Sequence, residues 1–197
     1  MDIKTQIAPK GLEFKPSSFV VSDKYATILT VISYPKYINP GFLSNLTSMP
    51  GVKMVIKHIP MQFDVINKLI NKEIADLKVK YQEENDVTIQ EKIRQDYESL
   101  EQFIKQLAAS QAKIYDFQLH VMITADSEDE LTTKRLQIKN YLQAMNMRAV
   151  PLRFEQEKAL KSILPIFPKQ DIEDRIGTPI PSPTIAATYP FIFDSIK

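Results

Sequence analysis

Apolar and polar residues alternate most strictly over "IYDFQLHVMIT". There Tyr115, Phe117, Leu119, Val121 and Ile123 share one face, and Asp116, Gln118 and His120 share the other. This period of two predicts a strand in a half-covered antiparallel sheet, with its even-numbered face in water. "VKMVIKH" repeats the pattern, with Val52, Met54 and Ile56 set against Lys53 and Lys57. From 62 to about 82 the period changes: Phe63, Ile66, Leu69, Ile70, Ile74, Leu77 and Tyr81 recur at helical spacing. "EENDV" interrupts it, and Thr88 with Glu91 has the form of a capping box that starts a second helix through Ile93, Tyr97, Leu100, Ile104 and Leu107. Two long helices on either side of a short polar turn predict an antiparallel helical hairpin.

Upstream, "FVVSDKYATILTVISY" is rich in β-branched residues and predicts the first strands, with Ser22-Asp23-Lys24 as the turn between them. Pro35 has no N–H and biases Tyr34 toward an extended backbone, so the strand ends there, and "GFLSNLTSM" supplies a short helix. Downstream, Ser127 and Glu130 form another capping box, opening a helix through Leu131, Ile138, Leu142 and Met145. "MRAVPLRF" reads as a strand and "QEKALKSILP" as a last short helix. Residues 1–18 read as a flexible lead-in, 19–166 as an α+β domain, and 167–197 as a proline-rich linker whose "YPFIFDSI" could pair with a sheet edge. With the hairpin set aside, the order is β-α-β-β-α-β. The expected fold is therefore a ferredoxin-like antiparallel sheet with the hairpin inserted between its second and third strands.

Composition removes several chemistries. The 197 residues contain no cysteine, which excludes disulfides, zinc–thiolate sites and thiol nucleophiles. The net charge of +1 lacks the basic excess of a general nucleic-acid-binding surface. No apolar run reaches the roughly 18 residues that a membrane-spanning helix needs. None of the four glycines lies in a Gly-x-x-x-x-Gly-Lys-Ser/Thr loop, so the chain is not expected to bind ATP by itself. His58 and His120 lie in different strands without a second ligand type near them, and read as ordinary strand-surface histidines. Asp126, Glu128, Asp129 and Glu130 could suggest a metal, but acidic residues in a first helical turn also complement the helix dipole. Charge is uneven along the chain. Residues 83–101 carry seven acidic and two basic side chains, and 131–169 carry eight basic and two acidic. Such runs read either as solvated faces or as docking surfaces. For docking, the candidates are Lys134, Arg135, Lys139, Arg148 and Arg153 against an anionic partner or membrane surface.

Four segments, in order, resemble the N-terminal domain of conjugation and type IV secretion ATPases of the VirB/TrbE/TraC kind: "VISYPKYINPGFLSNL", "HVMITADSEDEL", "FEQEKALKSILPIF" and "SPTIAATYPFIFDSI". They are similar to that family's strand ending in Tyr-Pro, its strand-Ala-Asp-Ser-helix junction, its Phe-x-Gln-Glu…Leu-Pro segment and the Pro-Phe stretch that leads to the ATPase core. The resemblance implies a docking and assembly domain at the cytoplasmic face of the inner membrane. Its partners would be inner-membrane channel proteins and further copies of itself, in a machine that transfers DNA or protein. It also implies that ATP and Mg belong to a nucleotide-binding domain beyond this sequence, so that no catalytic, cofactor or metal residue is expected here. The alternative is a self-contained nucleic-acid-binding module on a ferredoxin-like sheet, which would need exposed aromatics on its central strands. Tyr115 and Phe117 share the face of Leu119 and Val121, and are expected in the core instead.

Overall fold

The computed structural model describes residues 11–35, 41–110 and 112–187. The chain divides into two units: one built from the residues up to 58, 117–178 and the chain from 186 on, the other from 59–116 and 179–185. Of the regions discussed above, residues 1–10, 36–40 and the closing "YPFIFDSI" lie outside the described residues.

The first unit is organised around β3 (Lys24–Ser33), whose run "ATILTV" is buried on both faces. β1 (Leu12–Phe14) pairs with β2 (Phe19–Val21), so part of the expected lead-in is strand. Ser22, in the left-handed region at φ 58°, turns β2 into β3. β2 lies antiparallel to β3 at Lys24–Ala26, and β6 (Arg148–Pro151) lies antiparallel to it from Leu29 to Ser33. Tyr25 pairs with both Val20 and Ala125, and Leu29 pairs with both Val121 and Pro151. Each strand has two edges, so β2 and β6 share one edge of β3, and β5 (Ile114–Ala125) takes the other. β4 (Val52–Pro60) lies beyond β5. The bonds from Thr124 N–H to Gly51 O and from Met61 N–H to Ile114 O, one near each end, set this pair antiparallel. Gly51 has φ +75°, and a Cβ there would stand 2.6 Å from Thr124 O, so this junction admits only glycine.

Helix α1 (Ser44–Thr47) fills the connection between β3 and β4. α4 (Glu128–Ala144) packs on β3 and β6, with Leu131, Ile138 and Leu142 buried. Its start is the expected one. The Ser127 hydroxyl accepts from Glu130 N–H, and Glu130 Oε2 accepts from Asp126 N–H. α5 (Gln156–Ile163) and α6 (Glu173–Ile176) also pack on β3. There Ala26 and Ile28 cluster with Phe19, Ala159 and Ile172. Leu29 and Val31, which point the other way, are fully buried as well.

The sheet is thus covered on both sides at β3 and β5, and this corrects the half-covered strand expected from the alternation. Gln118 and His120, placed in water by that pattern, are fully buried, and His120 is not a strand-surface histidine. The polar face stays dry because residues far along the chain supply its hydrogen-bond partners.

In the second unit α2 (Phe63–Glu83) and α3 (Val87–Ser110) form the hairpin, with Ile66 and Leu77 buried. The start of α3 differs from expectation. Thr88 is inside the helix, and Asp86 caps it by accepting from the N–H groups of Thr88 and Ile89. Glu91 is drawn to Arg94 and Gln95 instead of reaching back to a cap. Within the stretch read as linker, β7 (Thr178–Pro181) pairs with β5, α7 (Ser182–Ala187) follows, and Ser182 N–H bonds to Lys113 O at 2.8 Å.

Candidate functional site

Between the last residue paired with β2 and the first paired with β6, one edge of β3 has a gap at Thr27 and Ile28. Each position there is closed by a polar contact. The Thr27 hydroxyl donates to Ser17 O at 2.7 Å. The Gln156 amide occupies the place a neighbouring peptide would take: its Oε1 accepts from Ile28 N–H at 2.9 Å and its Nε2 donates to Ile28 O at 3.2 Å. Gln156 is buried, and a buried amide needs such partners.

Beside it lies a cluster of ionisable groups. On β5, His120 Nδ1 is 3.0 Å from the Thr30 hydroxyl. Its Nε2 is buried without a hydrogen-bond partner. A neutral imidazole has one donor and one acceptor nitrogen, so one ring nitrogen is unsatisfied in either tautomer. Burial, followed by the nearby Lys57 ammonium, pushes His120 down to about 4, against a smaller opposing pull from Glu173. Glu173 is itself buried. Its Oε2 accepts from Lys57 Nζ at 2.5 Å, its Oε1 accepts from Gln170 N–H at 3.0 Å, and its carbonyl accepts from Gln118 Nε2 at 2.9 Å. Burial is the largest influence on this carboxyl and raises it, but the Gln170 N–H and the Lys57 ammonium together hold it below the usual glutamate value. Lys57 also reaches Ser162 O at 3.3 Å. The ensemble ties residues 152–176 to the sheet. Burial keeps its histidine neutral.

The acidic run at the start of α4 has local uses. Asp126 pairs with Lys24, Glu128 with Lys15 at 3.0 Å and Glu130 with Lys134 at 2.9 Å. Hydrogen bonds from Lys24 and Lys134 hold the Asp126 and Glu130 carboxyls below their usual values. Among the described residues no group of three or more His, Asp or Glu side chains could hold a metal ion.

The five sequence-predicted docking residues fall in two places. Lys134, Arg135 and Lys139 are on α4, whereas Arg148 opens β6 and Arg153 lies just beyond its end. Lys134 is engaged by Glu130 and by Thr124 O. Among the described residues the other four carry no ion pair. Arg148 and Arg153 are set at opposite ends of β6, Arg153 in the turn that follows it. Elsewhere in the basic run, Lys158 pairs with Asp171 and Glu155, Lys161 with Glu157 and Lys169 with Asp174.

Toward the tip of the hairpin, Leu77, Tyr81, Ile93, Arg94 and Tyr97 line an open groove of about 280 Å³. No family model matches the chain, and no curated protein matches it. Among the described residues, no helix is long and apolar enough to cross a membrane. Sequence reasoning missed Gln156 and Glu173. The only local sign was at Gln156, a polar residue that helical spacing sets on the same face as Ala159, whereas Glu173 lies in the stretch read as linker.

Proposed function

We propose that this chain is a docking and assembly domain of a conjugative type IV secretion ATPase, linking the motor to inner-membrane channel components. The observation that carries the reading is where the segments of resemblance sit. Tyr34, at the Tyr-Pro break, packs its ring edge-on to Phe117 at 5.3 Å between centroids. Ala125-Asp126-Ser127 is the cap of α4, and Gln156 of the Phe-x-Gln-Glu segment plugs the edge of β3. Three of the four resembling segments thus supply a junction residue of one α+β unit, which supports a role in folding and placement. We further infer a ferredoxin-like sheet. The adjacent order β6-β3-β5-β4, with α1 and α4 in the crossovers and the hairpin between β4 and β5, agrees with that arrangement.

On this reading the domain performs no nucleotide chemistry, and its work is done by surfaces. Of the five candidates, Arg135, Lys139, Arg148 and Arg153 carry no ion pair among the described residues, and they are the charges offered to an anionic partner or membrane face. The nucleic-acid reading draws no support from the sheet, because Phe117 is fully buried.

Reversing Arg135, Lys139 and Arg148 to Glu in the longest natural form of the protein tests the proposal. The expected outcome is a folded variant whose recruitment to the secretion complex is weakened, most at low salt. Wild-type transfer frequency with a folded triple variant would remove the docking surface. A coding sequence without a Gly-x-x-x-x-Gly-Lys-Ser/Thr loop after residue 197 would remove the motor.

A further inference from the structure

Residues 152–176 bury polar groups beneath them and display apolar ones. Thr30, Gln118, His120, Gln156, Ser162 and Glu173 are all buried under or within this segment. On its outside Phe154 is 79% and Ile166 78% exposed, with Leu164 and Phe167 exposed beside them in the chain. The segment begins at a strained point. Phe154 has φ 62°, a left-handed conformation that bulky side chains avoid, and its N–H is held by Pro16 O at 2.7 Å.

We propose that residues 152–176 form a displaceable strap, which lifts from the β3–β5 face as one piece between Phe154 and Gly177, the residue before β7, while the sheet and α4 stay folded. The contacts that fasten it support this. Gln156 to Ile28, Lys57 to Glu173, Lys57 to Ser162 and Gln118 to Glu173 are polar, and water can replace each of them at small net cost. The face left behind would carry Gln118, His120 and Thr30, matching the wet side that the alternation of β5 describes. His120 Nε2, orphaned when the strap is closed, would gain a water partner. The apolar surface that resists lifting is the cluster of Ala159 and Ile172 with Phe19, Ala26 and Ile28, the partly buried side chains around it, and the buried Ile176. The exposed apolar residues on the outside of the strap lose nothing when it moves. Strain stored at a hinge and a latch made of exchangeable bonds are the properties expected of a segment that opens locally.

The chain has no cysteine, so an introduced thiol is the only one present. Ala26 and Val31 lie on the same strand, are both fully buried, and face opposite sides of the sheet. Thiol labelling of Ala26→Cys and Val31→Cys, in the whole chain under native conditions, separates strap opening from unfolding. Ala26→Cys is expected to react at least about tenfold faster than Val31→Cys, because local opening needs less free energy than global unfolding. Adding Glu173→Gln is expected to accelerate both by roughly another tenfold, the equivalent of one lost charge-assisted hydrogen bond, because global unfolding breaks that bond too. Urea, in contrast, is expected to accelerate Val31→Cys much more steeply than Ala26→Cys, because global unfolding exposes more surface than lifting the strap. Equal rates at the two positions, or the same urea dependence at both, would mean that the segment is a fixed part of the core. If Glu173→Gln does not fold, the comparison of the two single-cysteine chains still decides between these outcomes.

Discussion

Gln156 hydrogen-bonds both backbone groups of Ile28, a residue 128 positions earlier. The amide thereby completes an edge that β2 and β6 leave open. Gln156→Ala should cost about 2–4 kcal/mol, since it orphans a buried N–H and a buried C=O at roughly 1–3 kcal/mol each before water enters. Gln156→Glu should be no better, because a carboxylate cannot donate to Ile28 O and would bring charge into a dry site. Urea unfolding of the three proteins checks this. A loss below about 0.5 kcal/mol for Gln156→Ala would show that the amide is dispensable.

Neighbouring residues on β5 should both matter, although they face opposite sides. Phe117→Ala removes a fully buried ring and is expected to cost about 3–5 kcal/mol. Gln118→Ala removes the donor to Glu173 O and is expected to cost about 1–3 kcal/mol. If calorimetry finds Gln118→Ala neutral, the strap does not cover that face in solution.

The strands and helices were legible because burial has a local period. Leu119 and Val121, or Ile138 and Leu142, announce their faces within a few residues. The second cover of the sheet was not legible. Gln118 and His120 look like surface residues because their side chains are polar, and the groups that satisfy them, Glu173 and Thr30, lie 55 and 90 positions away. Local spacing carries no record of such partners. The cap of α3 failed for a smaller reason. Asp86 and Thr88 both suit an N-cap, and the position where the chain leaves α2 decides between them.

Acid should destabilise the first unit through His120. Its folded value of about 4 lies below the ordinary histidine value of 6.5, so between those two pH values the unfolded chain binds more protons. Stability from this group is complete above about pH 6.5 and falls as the pH drops toward 4. The full difference is on the order of 3 kcal/mol. Glu173, also held below its usual value, adds a loss in the same direction at lower pH. Denaturation midpoints of the wild type and His120→Gln between pH 7 and 4 should converge as the pH falls. Parallel curves would show that His120 does not titrate across this range.

At the hairpin, Asp86→Ala should cost about 1 kcal/mol by removing the cap of α3. Thr88→Ala should cost almost nothing, because threonine has no advantage over alanine inside a helix. Thermal melts followed by circular dichroism rank the two, and a larger loss for Thr88→Ala would return the cap to threonine.

The closure of β3 by Gln156 has a consequence for biosynthesis. At roughly 5–20 residues per second, the 128 positions between Ile28 and Gln156 take about 6–26 s to translate. Throughout that interval the most apolar strand of the chain has emerged with an unsealed edge, while the α2–α3 hairpin, whose contacts are local, can already form. Ribosome-released chains that stop at residue 150 are therefore expected to aggregate through β3, and chains that continue past α6 are not. The danger of the nascent protein thus ends only when a glutamine late in its sequence arrives.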